Sequence, residues 1–513
     1  MKILFINLPY HGHVVPTIGL VQELLKQGCE VTYLMPFDWE GKVAESGAVF
    51  AGYENHRQLS EQIKNAYDMG EKIIDDFDMV IYEQFFFLGK HLAEKHGKPA
   101  VRIFTAPATN KKLMNEYISS GGPLGVFRWK WLTKAFTKDI IKGKGITLKT
   151  DNWLDEIIEN PPELNLVYTL REYQPYVEDF SKECFKFLGP SVYARKSDPI
   201  DFAKSNRPVI YISLGTIIKG DTAFFQNCIE AFRGEDVDVI VSVGQKFDIR
   251  KLRKVPDNIH IYPSVPQVDV LEFADVFVTH GGMNSVSESL VKGTPMVAIP
   301  FVSDQPVNAT QIETLGLGKR LEYKQITSEN LKQIVFSVLH DEQIASNMKK
   351  TQELIANAPG NTGGAQMIIA FYKKCWGITE EYANDIQCRK PHYEYLIENR
   401  HDNRFTQITE TNKSDLEKIL NGKILFTPGH TADSVSLKIG DMIFCGDAAM
   451  NGIPSMNRFI IWIENIKEFE NSWNVMISEK SEMIYPAHGK PFDVNDLKEY
   501  KHEISKIKLY KLK

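Results

Sequence analysis

Short apolar runs that do not alternate with polar residues, each ending at glycine or at a small or polar residue, dominate the chain up to about residue 300. One series reads PVIYISLG (208–215), VDVIVSVG (237–244), NIHIYPSV (258–265), DVFVTHGG (275–282) and PMVAIP (295–300). A strand with one face in water alternates apolar and polar residues; a strand covered on both faces need not, so these runs predict a parallel sheet beneath helices. An earlier series, KILFINL (2–8), EVTYLMP (30–36), DMVIYE (78–83) and AVRIF (100–104), predicts a second such sheet. Between its first two runs Ile18, Val21, Leu24 and Leu25 share one helical face, and Pro16 stands where a first helical turn accepts it. The fold class is α/β, with two doubly wound domains at 1–190 and 205–375. The stretch GPSVYARKSDPIDFAKSNRP (189–208) links them.

A chain of 513 residues exceeds one ordinary core, and the texture changes once more after the helical GGAQMIIAFYKK (363–374). The third segment, 380–513, carries strand-like KILF (423–426), the pair SVSLKIG and DMIFCG across Gly440-Asp441, and SEMIYPAHGKPF; it reads as a smaller α+β piece. The net charge of −6 with scattered Lys and Arg gives no nucleic-acid footprint. No apolar run is long enough to span a membrane, and no leader peptide is evident. The six cysteines include no CxxC, so a cytoplasmic protein with free thiols is expected. Nothing in the pattern specifies an oligomer.

Two stretches carry chemistry. In THGGMNSVSESL (279–290) a strand ends in His-Gly-Gly and a helix begins, so freed N–H groups and the positive helix end make a site for phosphate; a plain tight turn is the alternative. In HGHVVPT (11–17) two histidines follow the first strand, where either a general base or metal ligation is open.

The ordered set HGHVVPT, SLGT, VPQ, THGGMNSVSESL and GTPMVAIPFVSDQ resembles the family 1 UDP-dependent glycosyltransferases of GT-B fold, closest to the bacterial macrolide-type branch, over roughly residues 1 to 375. The resemblance implies two Rossmann-like domains facing a cleft, with the acceptor on the first and a UDP-sugar on the second. It places Val265 and Gln267 at the uracil, Glu288 on the ribose, and His280, Gly282, Asn284 and Ser285 on the diphosphate, with Thr216 near the phosphates. Asp304 and Gln305 would contact hydroxyls of the transferred hexose, an arrangement compatible with glucose. His13 becomes the base, and Glu83 stands where the family usually has an aspartate partner. The implied reaction is inverting transfer to a hydroxyl of a small hydrophobic acceptor such as a macrolide, flavonoid or other natural product, with no cofactor required. The aromatic stretches 83–90, 105–117 and 121–132 suit an acceptor pocket, or core packing.

The third segment resembles the carboxyl-terminal half of a metallo-β-lactamase-fold αββα sandwich. That likeness makes His430, Asp447 and His488 metal ligands, but the HxHxDH that supplies the others is missing. Ligand count alone would allow one Zn²⁺ with a water in the fourth position; none is expected. Two further readings stand beside glycosyl transfer: a metal-dependent hydrolase acting through this segment, and a UDP-sugar-binding protein without turnover.

Overall fold

The computed structural model describes residues 1–193, 200–202, 204–215, 222–375, 413–428, 434–446, 448–449, 463, 465–487 and 490–506. Contacts divide the chain into a unit Met1–Trp376 and a unit Gly377–Lys513.

The first unit holds two all-parallel sheets. Strands β1 (Lys2–Ile6), β2 (Glu30–Pro36), β3 (Val49–Tyr53), β4 (Met79–Glu83), β5 (Ala100–Phe104), β6 (Leu164–Val167) and β7 (Phe185–Phe187) lie in the order β3-β2-β1-β4-β5-β6-β7. Strands β8 (Val209–Ser213), β9 (Asp238–Ser242), β10 (Ile259–Tyr262), β11 (Val276–Thr279), β12 (Met296–Ala298) and β13 (Gly318–Arg320) lie in the order β10-β9-β8-β11-β12-β13. The central strands β4, β5, β8 and β11 are buried along their whole length, which explains the absence of alternation in their sequences. Alternate residues feed opposite faces: Leu4, Ile6, Val80 and Tyr82 join one core, and Ile3, Phe5, Met79 and Ile81 another.

Each sheet builds outward from its first strand and then reverses. The reversals fall between β1 and β4 and between β8 and β11, each pair in parallel register. The chain leaving these strands must open a crevice at their carboxyl ends, where open α/β sheets bind ligands.

Helix Gly360–Cys375 returns to the first sheet, although its sequence follows the second series. Its Ala365 and Ile368 share a core with Leu20, Val21 and Leu24 of helix Ile18–Lys26. Gly364 permits the approach, since a Cβ there would come 2.8 Å from Leu188 Cδ1.

The second unit contains a five-stranded mixed sheet, β14 (Lys423–Phe426), β15 (Val435–Ile439), β16 (Met442–Gly446), β17 (Met483–Pro486) and β18 (Phe492–Asp493), in sequential order. Strands β15 and β16 form the hairpin expected across Gly440-Asp441. Helix Ile466–Ser478 covers one face, its Phe469, Trp473 and Met476 packing with Ile443, Cys445 and Ile484. On the other face Phe426 and Phe444 remain exposed.

Helix Trp153–Glu159 supports the first domain's wall of the crevice. Asn152 caps it by accepting from the Asp155 N–H, and fully buried Trp153 packs on Phe85 and Phe87. The helix is tied down by Glu156, whose Oε1 takes hydrogen bonds from His91 Nε2 (2.8 Å) and Asn160 Nδ2 (2.7 Å). Its Oε2 accepts from the Thr150 N–H (2.8 Å) and hydroxyl (3.0 Å). Burial alone would raise the carboxyl's pKa; these hydrogen bonds, His91 first among them, outweigh it and bring the value down from 4.5 to about 2. The folded value is below the unfolded one, so this stabilisation is complete at neutral pH and is lost as pH falls from 4.5 through about 2. Glu156→Gln is therefore expected to cost about 2 kcal/mol in urea unfolding at pH 7, with the gap from wild type narrowing at pH 3.

Candidate active site

The two reversal points meet in a cleft of about 890 Å³ lined by both domains of the first unit. On the first domain, Asn7 turns the chain after β1. Its amide donates to the His13 carbonyl (3.0 Å) and to the Tyr33 hydroxyl (2.9 Å), and its Oδ1 accepts from the Leu8 N–H. A short helix His11–Val14 and a 3₁₀ turn Val15–Thr17 follow, holding His13 at the crevice.

His13 Nδ1 lies 2.9 Å from Glu83 Oε1 at the end of β4. Glu83 is fully buried, and its other oxygen accepts the Phe85 N–H at 3.1 Å. An ionised carboxylate only accepts, so this contact puts the imidazole hydrogen on Nδ1 and leaves Nε2 as the proton acceptor. The ring lies between Tyr10 and Phe85, with centroids 5.3 and 5.6 Å away. His11 instead packs on Trp39. No group of three His, Cys, Asp or Glu among the described residues is placed to hold a metal ion.

On the second domain, His280 follows β11 and its ring fills a gap between two glycines. A Cβ at Gly215 would come 2.7 Å from the ring, and one at Gly282 would come 2.5 Å from it. Gly215 and Gly281 also adopt positive φ, 74° and 79°, which other residues tolerate poorly. Burial lowers the His280 pKa from 6.5 to about 4, so the ring is neutral at pH 7. Its Nδ1 is buried without a hydrogen-bond partner among the described residues.

Helix Met283–Lys292 begins at Gly282 and ends at Gly293 in the left-handed conformation. Asp304 approaches its first turn from a separate loop, Oδ2 accepting from the Met283 N–H (3.2 Å) and from Asn308 Nδ2 (3.0 Å). Burial raises the Asp304 pKa against these hydrogen bonds. Asn308 also donates to the Gly281 carbonyl at 2.9 Å, joining the two loops. Gln305 turns back on its own loop, where Oε1 accepts from the N–H groups of Phe301 (2.9 Å) and Val302 (3.2 Å) around Ser303 in the left-handed region.

Further along, Gln267 joins three elements. Its Nε2 donates to Glu288 Oε2 (2.5 Å) and Ser285 Oγ (3.2 Å), and its Oε1 accepts from the Tyr211 hydroxyl (3.1 Å). Val265, Gln267, His280, Gly282, Asn284, Ser285, Glu288, Asp304 and Gln305 all line the same cleft as His13. The walls are close, a Cβ at Gly12 lying 4.0 Å from Asn284 Nδ2. Thr216 lies outside the described residues, as do His430, Asp447 and His488.

Sequence reasoning missed Asn308 and Tyr211, whose roles depend on tertiary contacts with no local pattern. Segment 121–132 divides: Leu124 reaches the cleft, whereas Trp129 and Trp131 are exposed and take no part in a pocket wall there. The described cysteines Cys29, Cys184, Cys228, Cys375 and Cys445 are free thiols.

A family model described as UDP-glucoronosyl and UDP-glucosyl transferase matches residues 195–360. The NDP-glycosyltransferase YjiC of Bacillus licheniformis is 33% identical over 397 residues, covering 71% of this chain and 96% of that protein. The oleandomycin glycosyltransferase of Streptomyces antibioticus is 26% identical over 71% of this chain and 89% of its own length. Among solved structures, the calicheamicin glycosyltransferase CalG4 superposes with a TM-score of 0.62 at 26% identity, covering 73% of this chain and 98% of that one. The kitacinnamycin glycotransferase gives 0.63 at 26% identity, covering 72% and 98%. These likenesses agree with the two parallel sheets and the cleft between them: the chain belongs to the UDP-glycosyltransferase family and is a UDP-glycosyltransferase.

Proposed function

We propose that this enzyme moves a hexose, glucose in the first instance, from a UDP-sugar to a hydroxyl of a small hydrophobic natural product in one inverting step. The observation that carries the reading is the His13–Glu83 pair at 2.9 Å, placed in the same cleft as the glycine-framed His280. His13 Nε2 takes the proton of the acceptor hydroxyl as its oxygen attacks the anomeric carbon. The bond from that carbon to the diphosphate oxygen breaks, and UDP leaves carrying its electron pair. Glu83 keeps the imidazole in the useful tautomer and stabilises its protonated form.

Negative charge grows on the leaving diphosphate. The first turn of helix Met283–Lys292, with Asn284 and Ser285, faces it, and His280, neutral in the free cleft, acts as a hydrogen-bond donor. Gln267 and Glu288 form the nucleoside end, and Asp304 with Gln305 the sugar end. No metal is needed for this displacement. The named activities of the oleandomycin and calicheamicin relatives support a natural-product acceptor. Residues 1–190 would hold that acceptor and 205–375 the donor, in a cytoplasmic enzyme.

For residues 380–513 we retain the likeness to half of a metallo-β-lactamase sandwich, supported by a mixed sheet with a helix on one face. That segment has no step in the transfer.

Four outcomes are expected. His13→Ala lowers kcat by about 10²–10⁴-fold with UDP affinity unchanged by calorimetry. Glu83→Gln lowers kcat by at least about tenfold, with Glu83→Asp retaining more activity. Replacing His280 by Ala weakens UDP binding by about ten- to a hundredfold, while chelator leaves the wild-type rate unaltered in a mass-spectrometric transfer assay.

A further inference from the structure

Segment 121–132 faces two ways. Leu124 lines the cleft and a Cβ at Gly122 would lie 3.5 Å from the Ser303 backbone across it. Val126, Trp129 and Trp131 instead face solvent, 54%, 52% and 66% exposed. Beside them a mainly apolar groove of about 520 Å³ runs between helices Leu59–Ile73 and Lys130–Ile141, walled by Leu59, Val126, Leu132 and Ala135, with Gln58, Ser60 and the Lys64-paired Asp139 also lining it. Phe127 and Phe136 also line it, and both rings pack on buried Trp153, so the groove is preformed.

The charge around these groups is one-sided. Residues 126–144 carry Arg128, Lys130, Lys134, Lys138, Lys142 and Lys144 against Asp139 alone, in a chain whose net charge is −6. Neighbouring carboxylates offset part of this: Lys64 pairs with Asp139, Lys134 with Asp151 and Lys144 with Asp68. Lys138 and Lys142 have no carboxylate partner among the described residues, and Arg128 lies over the Trp129 ring, 5.3 Å from its centroid.

Exposed indoles beside unpaired cations and an apolar slot match the layered chemistry of a bilayer surface, where Trp sits at headgroup level and Lys and Arg meet phosphate. We propose that this face docks the first domain onto an anionic lipid surface. Trp129 and Trp131 enter the headgroup region, the groove accommodates acyl carbon, and the cations lie over lipid phosphates. The association is peripheral, since no helix among the described residues is long and apolar enough to cross a membrane. Its purpose rests on the reading of the cleft given above: a hydrophobic acceptor concentrates in the bilayer, and Leu124, at the cleft end of the same segment, lines its route inward. The docking itself does not depend on that reading.

The test is co-sedimentation of the full chain, without UDP-sugar or acceptor, with vesicles of phosphatidylcholine alone or mixed with phosphatidylglycerol. Sedimentation with the anionic vesicles, weakened by added salt, is expected. The double variants Trp129→Ala/Trp131→Ala and Lys130→Glu/Lys138→Glu should each bind at least about tenfold more weakly. Both should retain wild-type transfer to a water-soluble acceptor, which separates lost docking from lost folding. Absence of wild-type binding to anionic vesicles, equal binding to neutral ones, or undiminished binding by both variants would overturn the proposal.

Discussion

The reversal of strand order in each parallel sheet is the constraint on which the cleft depends. Because β1 neighbours β4, the loop after the first strand and the last residue of the fourth are brought together, and His13 meets Glu83 although 70 residues separate them. Because β8 neighbours β11, Gly215 and His280 meet in the same way. Two sheets of different sequence thus each present an imidazole at the point where the crossover helices part. Helix Gly360–Cys375, packed back on helix Ile18–Lys26, adds a second tie between the carboxyl-terminal part of this unit and its first domain.

The two imidazoles are made chemically different by their surroundings. His13 is partly exposed, its Nδ1 committed to a buried carboxylate and its Nε2 left to accept a proton. His280 is enclosed by two glycines, and desolvation keeps it neutral well below pH 7. One arrangement suits a base that becomes charged during reaction, because Glu83 offsets that charge. The other suits a fixed donor, neutral in the free cleft and already in place when an anion arrives.

Much of this was legible in the sequence. Unbroken apolar runs gave the buried parallel strands because both faces of the sheet are covered, and His-Gly-Gly before a helix pointed to the turn that follows β11. The reason for the glycines was not legible: Gly215 and Gly282 are required by the volume of a side chain from β11's own loop, which no local pattern encodes. Nor could spacing reveal that Asp304 accepts from the Met283 N–H or that Gln267 holds Glu288, since these contacts join separate loops and helices. For the aromatic stretch 121–132 composition allows a pocket wall or core packing; Phe127 packs in the core, and Trp129 and Trp131 do neither. Leu124 reaches the cleft, while Trp129 and Trp131 lie on the outer side of the same segment, a distinction set by tertiary orientation.

One measurement tests the central claim most directly: the anomeric configuration of the product, read by NMR after transfer from UDP-glucose. Direct displacement by an acceptor oxygen activated at His13 inverts the anomeric carbon and predicts a β-glucoside from the α-linked donor. An α-glucoside would contradict the account, since retention requires either a covalent glycosyl intermediate or attack from the face that UDP leaves.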